Sequence, residues 1–92
     1  MLKIKLTSQF KKDAKKLANR SDCRAEISNV VNMLANEKPL PDKYRDHKLV
    51  ESKAYSGCRE CHVKPDLLLI YAVEKELRIL RLIRTGSHSE LF

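Results

Sequence analysis

The sequence contains no tryptophan, and its 92 residues include only two glycines, three prolines and three cysteines. So little glycine and proline, beside a hydrophobic share of 42%, excludes a disordered chain. The odd number of cysteines argues against a disulfide scaffold. The longest apolar run, Leu67 to Val73, is far short of the roughly 20 residues of a membrane span. The first residues, 1–5, alternate charge with apolar side chains, which is unlike a secretory signal. We therefore expect one small cytoplasmic domain over residues 1–92, with no membrane contact.

Positive charge is abundant and unevenly distributed. Nineteen lysines and arginines face twelve acidic residues, a formal net charge of +7, which favours polyanionic partners. Residues 1–38 hold nine basic and four acidic side chains, so most of the excess lies in the first half of the chain. All three histidines, His47, His62 and His88, lie in the second half. This division predicts a binding half joined to a reacting half.

The hydrophobic pattern of the first half predicts a strand followed by two helices. Residues 2–6 alternate as in a half-buried strand, and Thr7 or Ser8 can cap the helix that follows. A second helix begins at the capping pair Ser21-Asp22, and Pro39 and Pro41 follow its end. The apolar stripes of the two helices share the helical spacing. They comprise Phe10, Ala14, Leu17 and Ala18 in the first helix, and Ile27, Val30, Val31 and Leu34 in the second.

The second half has the period of strands. We predict strands over residues 55–63, 67–73 and 77–84, with a turn at 74–76 and a loop at 85–88. The order is β-α-α-β-β-β. It predicts an α+β fold with the helices on one face of a mainly antiparallel sheet.

A literal C-x-x-C-H pattern at Cys58–His62 matches the haem attachment motif, and zinc ligation by Cys58, Cys61, His62 and His47 is the related alternative. Residues three apart on a strand point to opposite faces, so the two thiols diverge. We therefore expect no metal and no haem. Cys61 is better interpreted as a buried apolar residue and Cys58 as a half-exposed one.

The histidines, Asp66 and Arg84 form a set suited to RNA cleavage. Attack of a ribose 2′-hydroxyl on the adjacent phosphate needs a base, an acid and a group that offsets the charge on the phosphate. Histidine serves as base or acid near neutral pH, Asp66 is a second candidate base, and Arg84 with Arg59 would bind the phosphate. No metal is required. If the last three strands are neighbours, these residues gather at one edge of the sheet.

The open alternative is a non-enzymatic basic module that binds RNA or DNA. In that case the lysines of the first helix, Lys11 and Lys12 among them, would contact the nucleic acid backbone, and the histidines would be dispensable.

Three ordered blocks, Asp46–Leu49, Arg59–Tyr71 and Arg84–Phe92, strongly resemble the YafQ family, a branch of the RelE-like toxins of bacterial type II toxin–antitoxin systems. The resemblance covers essentially the whole chain. It implies the RelE-like microbial RNase fold, with two N-terminal helices on a twisted, mainly antiparallel sheet. It also implies an mRNA endoribonuclease that acts in the ribosomal A site by metal-independent 2′-hydroxyl attack, without a cofactor.

The resemblance further implies a cognate antitoxin of the DinJ or RelB kind, through which alone operator DNA would be bound. Its functional positions match His47, His62, Asp66, Arg84, His88 and Phe92. We interpret His88 as the general acid, Asp66 or His62 as the base, and His47 as a group supporting the scissile region. The expected RNA contacts comprise Phe92 as a stacking ring, Arg59 behind Arg84, and the side chains of Lys48, Lys11 and Lys12.

Some positions depart from the family pattern. Leu67 stands where many relatives carry tryptophan, and Cys58 stands where an aromatic is common. The stretch 50–55 lacks the family's small-residue–tryptophan pattern, and we expect Tyr55 to take the tryptophan position. These departures bear on substrate preference rather than on the acid–base residues.

Overall fold

The computed structural model describes residues 1–49 and 53–92, and the departure at residues 50–52 lies outside them. Within these ranges the chain forms one five-stranded sheet and three α-helices. The elements in chain order are β1 (Lys3–Leu6), α1 (Ser8–Lys15), α2 (Ser21–Ala35), a 3₁₀ helix (Asp42–Tyr44), β2 (His47–Lys48), β3 (Arg59–Lys64), β4 (Leu67–Glu74), β5 (Ile79–Gly86) and α3 (His88–Leu91). The predicted α+β order is confirmed, and the 3₁₀ helix, β2 and α3 are additions to it.

The strands lie in the order β1-β5-β4-β3-β2. Only the pair β1–β5 is parallel, so the sheet is mainly antiparallel as predicted. No helix among the described residues is long and apolar enough to cross a membrane.

The two long helices cover one face of the sheet, which we call the helical face. The buried side chains that strands contribute to this core alternate along β3, β4 and β5, and comprise Cys61, Val63, Leu67, Leu69, Tyr71, Leu80 and Leu82. The predicted stripe of α2 is buried against them. Leu67 is thus part of the hydrophobic core.

The opposite face, which we call the open face, carries a smaller apolar cluster beneath α3. It consists of Tyr55, Leu68, Ile70 and Leu91. The prediction that the helices lie on one face therefore holds for α1 and α2 only. Tyr55 does bring an aromatic ring to this side of the sheet, and its hydroxyl donates to the Leu91 carbonyl at 3.0 Å.

Both helix starts can be compared with their predicted caps. Thr7 caps α1, since its hydroxyl accepts from the Phe10 N–H at 3.0 Å. The predicted cap of α2 was wrong: Arg20 occupies the N-cap without a side-chain hydrogen bond, and Ser21 is already helical. Asp22 instead lies in the first turn, where a carboxylate is favoured by the positive helix end.

The N-terminal strand is at the sheet edge, and its predicted half-burial was wrong. All four residues of β1 are exposed, including Ile4 at 39% and Leu6 at 44%. The buried apolar residue is Leu2, just before the strand. An edge strand has a neighbour on one side only, which leaves its side chains less covered.

Several strand boundaries also differ from those predicted. The strand expected from residue 55 begins at Arg59, because Gly57, at a φ of +79°, belongs to a turn. Arg78, at a φ of 57°, ends a turn over residues 75–78, so the last strand starts two residues late and continues to Gly86. The loop expected at His88 is the start of α3, capped reciprocally by Ser87 and Glu90.

Candidate active site on the open face of the sheet

The strand register places the polar candidates on one face of the sheet. His47 pairs with Glu60, Glu60 with Ile70, and Ile70 with Arg84, so all four lie in one row across the sheet. His62 lies in the neighbouring row, opposite Leu68. Because Ile70 and Leu68 belong to the open face, so do these polar residues. They share a face, rather than one edge of the sheet as predicted.

Two imidazoles converge on one carboxylate, which we call the histidine–glutamate cluster (His47, Glu60 and His62). The Nε2 atoms of His47 and His62 lie 3.5 and 3.4 Å from the same oxygen, Oε1 of Glu60. The Glu60 side chain is only 7% exposed, whereas His47 is half-exposed. Contacts of this length in active sites tighten when substrate binds.

The second nitrogen of His47 fixes the role of its ring. Nδ1 lies 2.7 Å from the carbonyl oxygen of Arg45, which can only accept, so Nδ1 carries the proton. In neutral His47 the Nε2 atom is then an acceptor facing a carboxylate. Protonation of this ring adds the second N–H and satisfies both contacts.

His62 has the complementary arrangement. A neutral ring that directs Nε2–H to Glu60 keeps Nδ1 free as a proton acceptor. The cluster therefore pairs a candidate base, His62, with a carboxylate that selects its tautomer. Glu60 was not among the predicted site residues. Its position two residues before His62 on a strand puts both side chains on one face, and this spacing is visible in the sequence.

Arg84 is held by a buried aspartate from the first helix. Asp13 Oδ2 accepts from Arg84 Nε at 3.0 Å, and Oδ1 accepts from Nη2 at 2.9 Å. The same carboxylate accepts from the Thr85 N–H at 3.2 Å and from the Gln9 amide at 3.1 Å. Only 3% of Asp13 is exposed. Burial raises the pKa of Asp13, but its hydrogen bonds outweigh burial and leave that pKa below its ordinary value.

The pair with Asp13 fixes the Arg84 side chain but does not engage all of its hydrogen-bond donors. A guanidinium has five N–H donors; Asp13 takes two of them and the Tyr55 hydroxyl also lies within reach of Arg84, so part of the guanidinium remains for a ligand. The side chain is 23% exposed, which gives a ligand access. The hydrogen bond to Asp13 raises the pKa of Arg84, which is therefore a permanent cation. The sequence signal for Asp13 was its helical spacing from Phe10 and Leu17, three and four residues away.

The third histidine begins the short helix α3. His88 stacks at a tilt on Phe92, with 5.0 Å between the ring centroids, and the edge of Tyr55 meets Phe92 at 5.5 Å. Phe92 is 52% exposed, so one side of its ring is free for stacking. The reciprocal cap of Ser87 and Glu90 holds this turn at the end of β5, which already carries Arg84.

Asp66 lies in the turn between β3 and β4 and is exposed. It lines a cavity of about 300 Å³ together with Ser87 and Glu90. The same cavity is lined by Leu17, Cys23 and Leu67, which belong to the core of the helical face or pack against it. Asp66 therefore lies at the end of the sheet near Ser87, apart from the rows that carry the histidine–glutamate cluster.

The remaining predicted RNA-binding residues lie elsewhere. Arg59 is on the helical face, where its Nε and Nη2 donate to Asp46 at 3.2 and 3.1 Å beside Tyr71. The interpretation that it stands behind Arg84 and binds the phosphate is therefore corrected. Lys48 is paired with Arg59 in the register and is exposed on that same side. Lys11 and Lys12 are exposed on α1.

The C-x-x-C-H segment is not arranged to hold one ion. Cys61 is fully buried in the core of the helical face, whereas His62 points to the open face. Burial raises the pKa of Cys61 to about 12, which disfavours the thiolate that a metal requires. No group of three or more histidine, cysteine, aspartate or glutamate side chains in residues 1–49 and 53–92 is placed to bind a metal ion.

Imidazoles, carboxylates and a held arginine on one face of a mainly antiparallel sheet define a class of site suited to proton transfer at a phosphate. The family comparison agrees with the resemblance of the three sequence blocks. A model described as the bacterial toxin of a type II toxin–antitoxin system, YafQ, matches residues 2–92. The chain belongs to this family.

Similar proteins of known sequence or structure match along nearly their whole length. The mRNA interferase toxin YafQ of Escherichia coli strain B / BL21-DE3 is 39% identical over 90 residues, which are 97% of this chain and 94% of the relative. A metal-bound toxin from Helicobacter pylori is 46% identical, with a TM-score of 0.89 and full coverage of both chains. The E. coli DinJ–YafQ complex contains a chain that is 36% identical, with a TM-score of 0.86 and coverage of 100% and 99%. The RelE-like fold is thus confirmed.

Proposed function

We propose that this chain is an endoribonuclease toxin that cleaves mRNA and is neutralised by a cognate antitoxin. The observation that carries the proposal is the placement of the histidine–glutamate cluster on the same face of the sheet as Arg84. Neighbouring strands are about 4.8 Å apart, so Glu60 and Arg84, two strands apart, are separated by about 10 Å at their Cα atoms. That separation leaves room for a phosphodiester between the candidate base and the arginine. The family membership and the relatives named mRNA interferase agree with this chemistry.

The proposed reaction begins at the ribose 2′-hydroxyl. His62 Nδ1 accepts the 2′ proton while Glu60 holds Nε2–H, as a carboxylate does for a catalytic imidazole. The 2′-oxygen forms a bond to phosphorus, and the bond from phosphorus to the 5′-oxygen breaks. The products are a 2′,3′-cyclic phosphate and a 5′-hydroxyl. Asp66 is the second candidate base, and its distance from the cluster makes the two assignments separable by mutation.

Charge stabilisation falls to Arg84. The phosphate gains negative charge as the 2′-oxygen attacks, and the N–H groups of Arg84 that Asp13 does not take can donate to its oxygens. Because Asp13 fixes the guanidinium beforehand, little ordering is left to be done during the reaction.

The leaving group needs a proton, and His88 is the proposed donor. Its place at the exposed start of α3 leaves the imidazole accessible from the open face. Phe92, stacked on His88, offers a ring on which a neighbouring base can pack. Every proton in this scheme moves through a side chain of the protein, so we propose that the reaction is metal-independent.

The partners of the toxin follow from the family. We infer an antitoxin of the DinJ or RelB kind, since the E. coli relative has been solved in complex with DinJ. We further infer that the substrate is mRNA in the ribosomal A site, that operator DNA is bound only through the antitoxin complex, and that the toxin acts in the cytoplasm. The net charge of +7 suits both RNA and an acidic antitoxin.

Cleavage by purified variants tests the proposal and separates it from the binding-module alternative. We expect the wild type to cleave mRNA, tested free and on programmed ribosomes, with any cleavage of free RNA unaffected by EDTA. His62→Ala and His88→Ala should lose about 10²–10⁴-fold in rate, and Glu60→Gln should lose less. Lys3→Ala is the matched control, because it removes an exposed positive charge on β1, at the edge of the sheet opposite the cluster. If the histidine variants bind and cleave RNA like the wild type, the proposed site is wrong.

A further inference from the structure

A groove runs along the part of β3 that β2 leaves uncovered. β2 pairs only with Arg59 and Glu60, and beyond them the 3₁₀ helix and α2 line the edge of β3. A cavity of about 530 Å³ opens there. We call it the edge groove, and its lining includes Glu26, Lys43, Tyr44, Arg45, His62 and Lys64. Because His62 is shared, the groove is continuous with the histidine–glutamate cluster.

The basic residues of the edge groove differ in whether they form ion pairs. Lys64 is paired with Asp22 on α2 at 3.2 Å, whereas Lys43 and Arg45 form no ion pair with any described residue. The Nζ atom of Lys43 lies 5.0 Å from the centre of the Tyr44 ring, a cation–π distance. Among residues 1–49 and 53–92, no ion-pair partner of Lys43 or Arg45 competes with an anion in the edge groove.

The acidic residue of the edge groove has a structural role. Glu26 accepts a hydrogen bond of 2.6 Å from the hydroxyl of Tyr44, which ties the 3₁₀ helix to α2. That hydrogen bond lowers the pKa of Glu26, and Tyr44 itself is 3% exposed. The wall that carries Lys43 and Arg45 is thus anchored to the core.

Arg45 links the edge groove to the cluster through its backbone. Its φ of 48° lies in the left-handed region, which residues with a side chain rarely adopt. This conformation presents its carbonyl to His47 Nδ1 at 2.7 Å, while its side chain lines the groove. Unusual backbone conformations of this kind are concentrated at functional sites.

We propose that the edge groove binds the RNA strand beside the reacting phosphate, with Lys43 and Arg45 contacting backbone phosphates. The inference rests on the proposed function and extends it. On the open face the Asp13 carboxylate partly offsets the charge of Arg84, so binding of a polyanion calls for further positive charge nearby. The edge groove supplies that charge adjacent to His62, and an RNA strand that enters it passes directly to the cluster.

The test compares two variants that each remove two positive charges. Lys43→Gln/Arg45→Asn empties the groove of its free cations, and asparagine tolerates the left-handed backbone at position 45. Lys3→Gln/Lys5→Gln is the control, since both lysines are exposed on β1 at the opposite edge of the sheet. The probe is a fluorescent, single-stranded 2′-O-methyl RNA oligonucleotide, which cannot be cleaved by 2′-hydroxyl attack.

We expect the groove variant to bind this probe about tenfold more weakly, with a salt slope reduced by about one unit per lost phosphate contact. The control should stay within about threefold of the wild type, because scattered charges contribute only long-range attraction. On cleavable RNA the groove variant should raise KM and keep kcat. The proposal that the edge groove binds RNA would be refuted by equal binding and equal salt slopes for the two variants, or by a folded wild type that does not bind the probe. Failure of the wild type to cleave RNA, with the binding difference retained, would instead refute the proposed nuclease.

Discussion

Two arginine–aspartate pairs of the same geometry hold opposite faces of the sheet. On the open-face side, Arg84 and Asp13 are 71 residues apart in the chain, and the aspartate is 3% exposed. On the helical face, Arg59 and Asp46 are 13 residues apart, and the aspartate is 25% exposed. Both arginines donate through Nε and Nη2. The difference lies in what surrounds the guanidinium, and not in the pair itself.

The comparison teaches which arginine can bind a substrate. Arg59 lies beside Tyr71, whose hydroxyl donates to Asp46 at 2.5 Å, so this pair joins β2, β3 and β4 and acts in stability. Arg84 directs its remaining donors to a face that also carries the histidine–glutamate cluster. The bidentate pair with Asp46 thus makes Arg59 a stabilising contact of the fold, whereas the pair with Asp13 orients Arg84 toward the site.

The largest effect should come from Arg84→Ala. Removing a group that stabilises developing charge costs about 10²–10³-fold in rate, and we expect a loss of that size in single-turnover RNA cleavage. The matched change Arg59→Ala should leave the rate within about threefold. Equal losses in the two variants would show that the open face has no special role.

Asp13→Asn should have the next largest effect, and it should lower both the stability of the protein and the rate of RNA cleavage. The variant leaves Arg84 with a weaker acceptor in a buried position, for which we expect the free energy of unfolding to fall by about 2–3 kcal/mol. Cleavage should also fall by about tenfold, because the guanidinium is no longer fixed. Urea denaturation measures the first change. A stable variant with full activity would contradict the positioning role.

Asp46→Asn should have a smaller and purely structural effect. The pair is partly exposed and screened by solvent, so we expect a loss of about 1 kcal/mol in urea denaturation. The rate of RNA cleavage by the folded variant should be unchanged. A specific fall in kcat at unaltered stability would mean that Arg59 serves the site after all.

The smallest effect should be a change in how the stability of the protein falls at acid pH. Hydrogen bonds from Arg84, Gln9 and Thr85 outweigh burial and hold the pKa of Asp13 below its ordinary value in the folded protein, so the folded state binds fewer protons than the unfolded state in this pH range. The stability that Asp13 contributes is present above its unfolded pKa and is lost as the pH falls through the folded pKa. The Tm should therefore fall less steeply between pH 6 and pH 3 for Asp13→Asn than for the wild type. Parallel curves of Tm against pH would contradict the lowered pKa of Asp13.

Local pattern predicted the elements that depend on local physics. The stripe of α2, the Thr7 cap and the buried run of β4 could be read from spacing, because each depends on neighbours in the chain. Boundaries were missed where a single residue in the left-handed region, such as Arg78, ended a turn. The exposure of β1 depends on its place at the sheet edge, which one strand's pattern does not reveal.

The site could be predicted by residue type but not by pairing. His47, His62 and Arg84 were found because their chemistry suits proton transfer at a phosphate and because the family blocks contain them. Asp13 was missed because its contact with Arg84 spans 71 residues, and Glu60 because its contact with His47 depends on the pairing of β2 with β3. The function of Arg59 was wrongly predicted because its pair with Asp46 could not be seen in the sequence.

The measurement that tests the central claim most directly is the chemistry of the cleaved ends. A short mRNA, free and bound in the A site of programmed ribosomes, is incubated with the wild-type protein. The fragment termini are identified by mass spectrometry, beside an mRNA carrying one 2′-deoxyribose at the cleavage position. Attack by the 2′-hydroxyl, with His62 as base, Arg84 on the phosphate and His88 as acid, predicts a 2′,3′-cyclic phosphate and a 5′-hydroxyl, and no cleavage of the deoxy-substituted RNA. Fragments that end in a 3′-hydroxyl and a 5′-phosphate, or cleavage at the deoxyribose, would contradict the account.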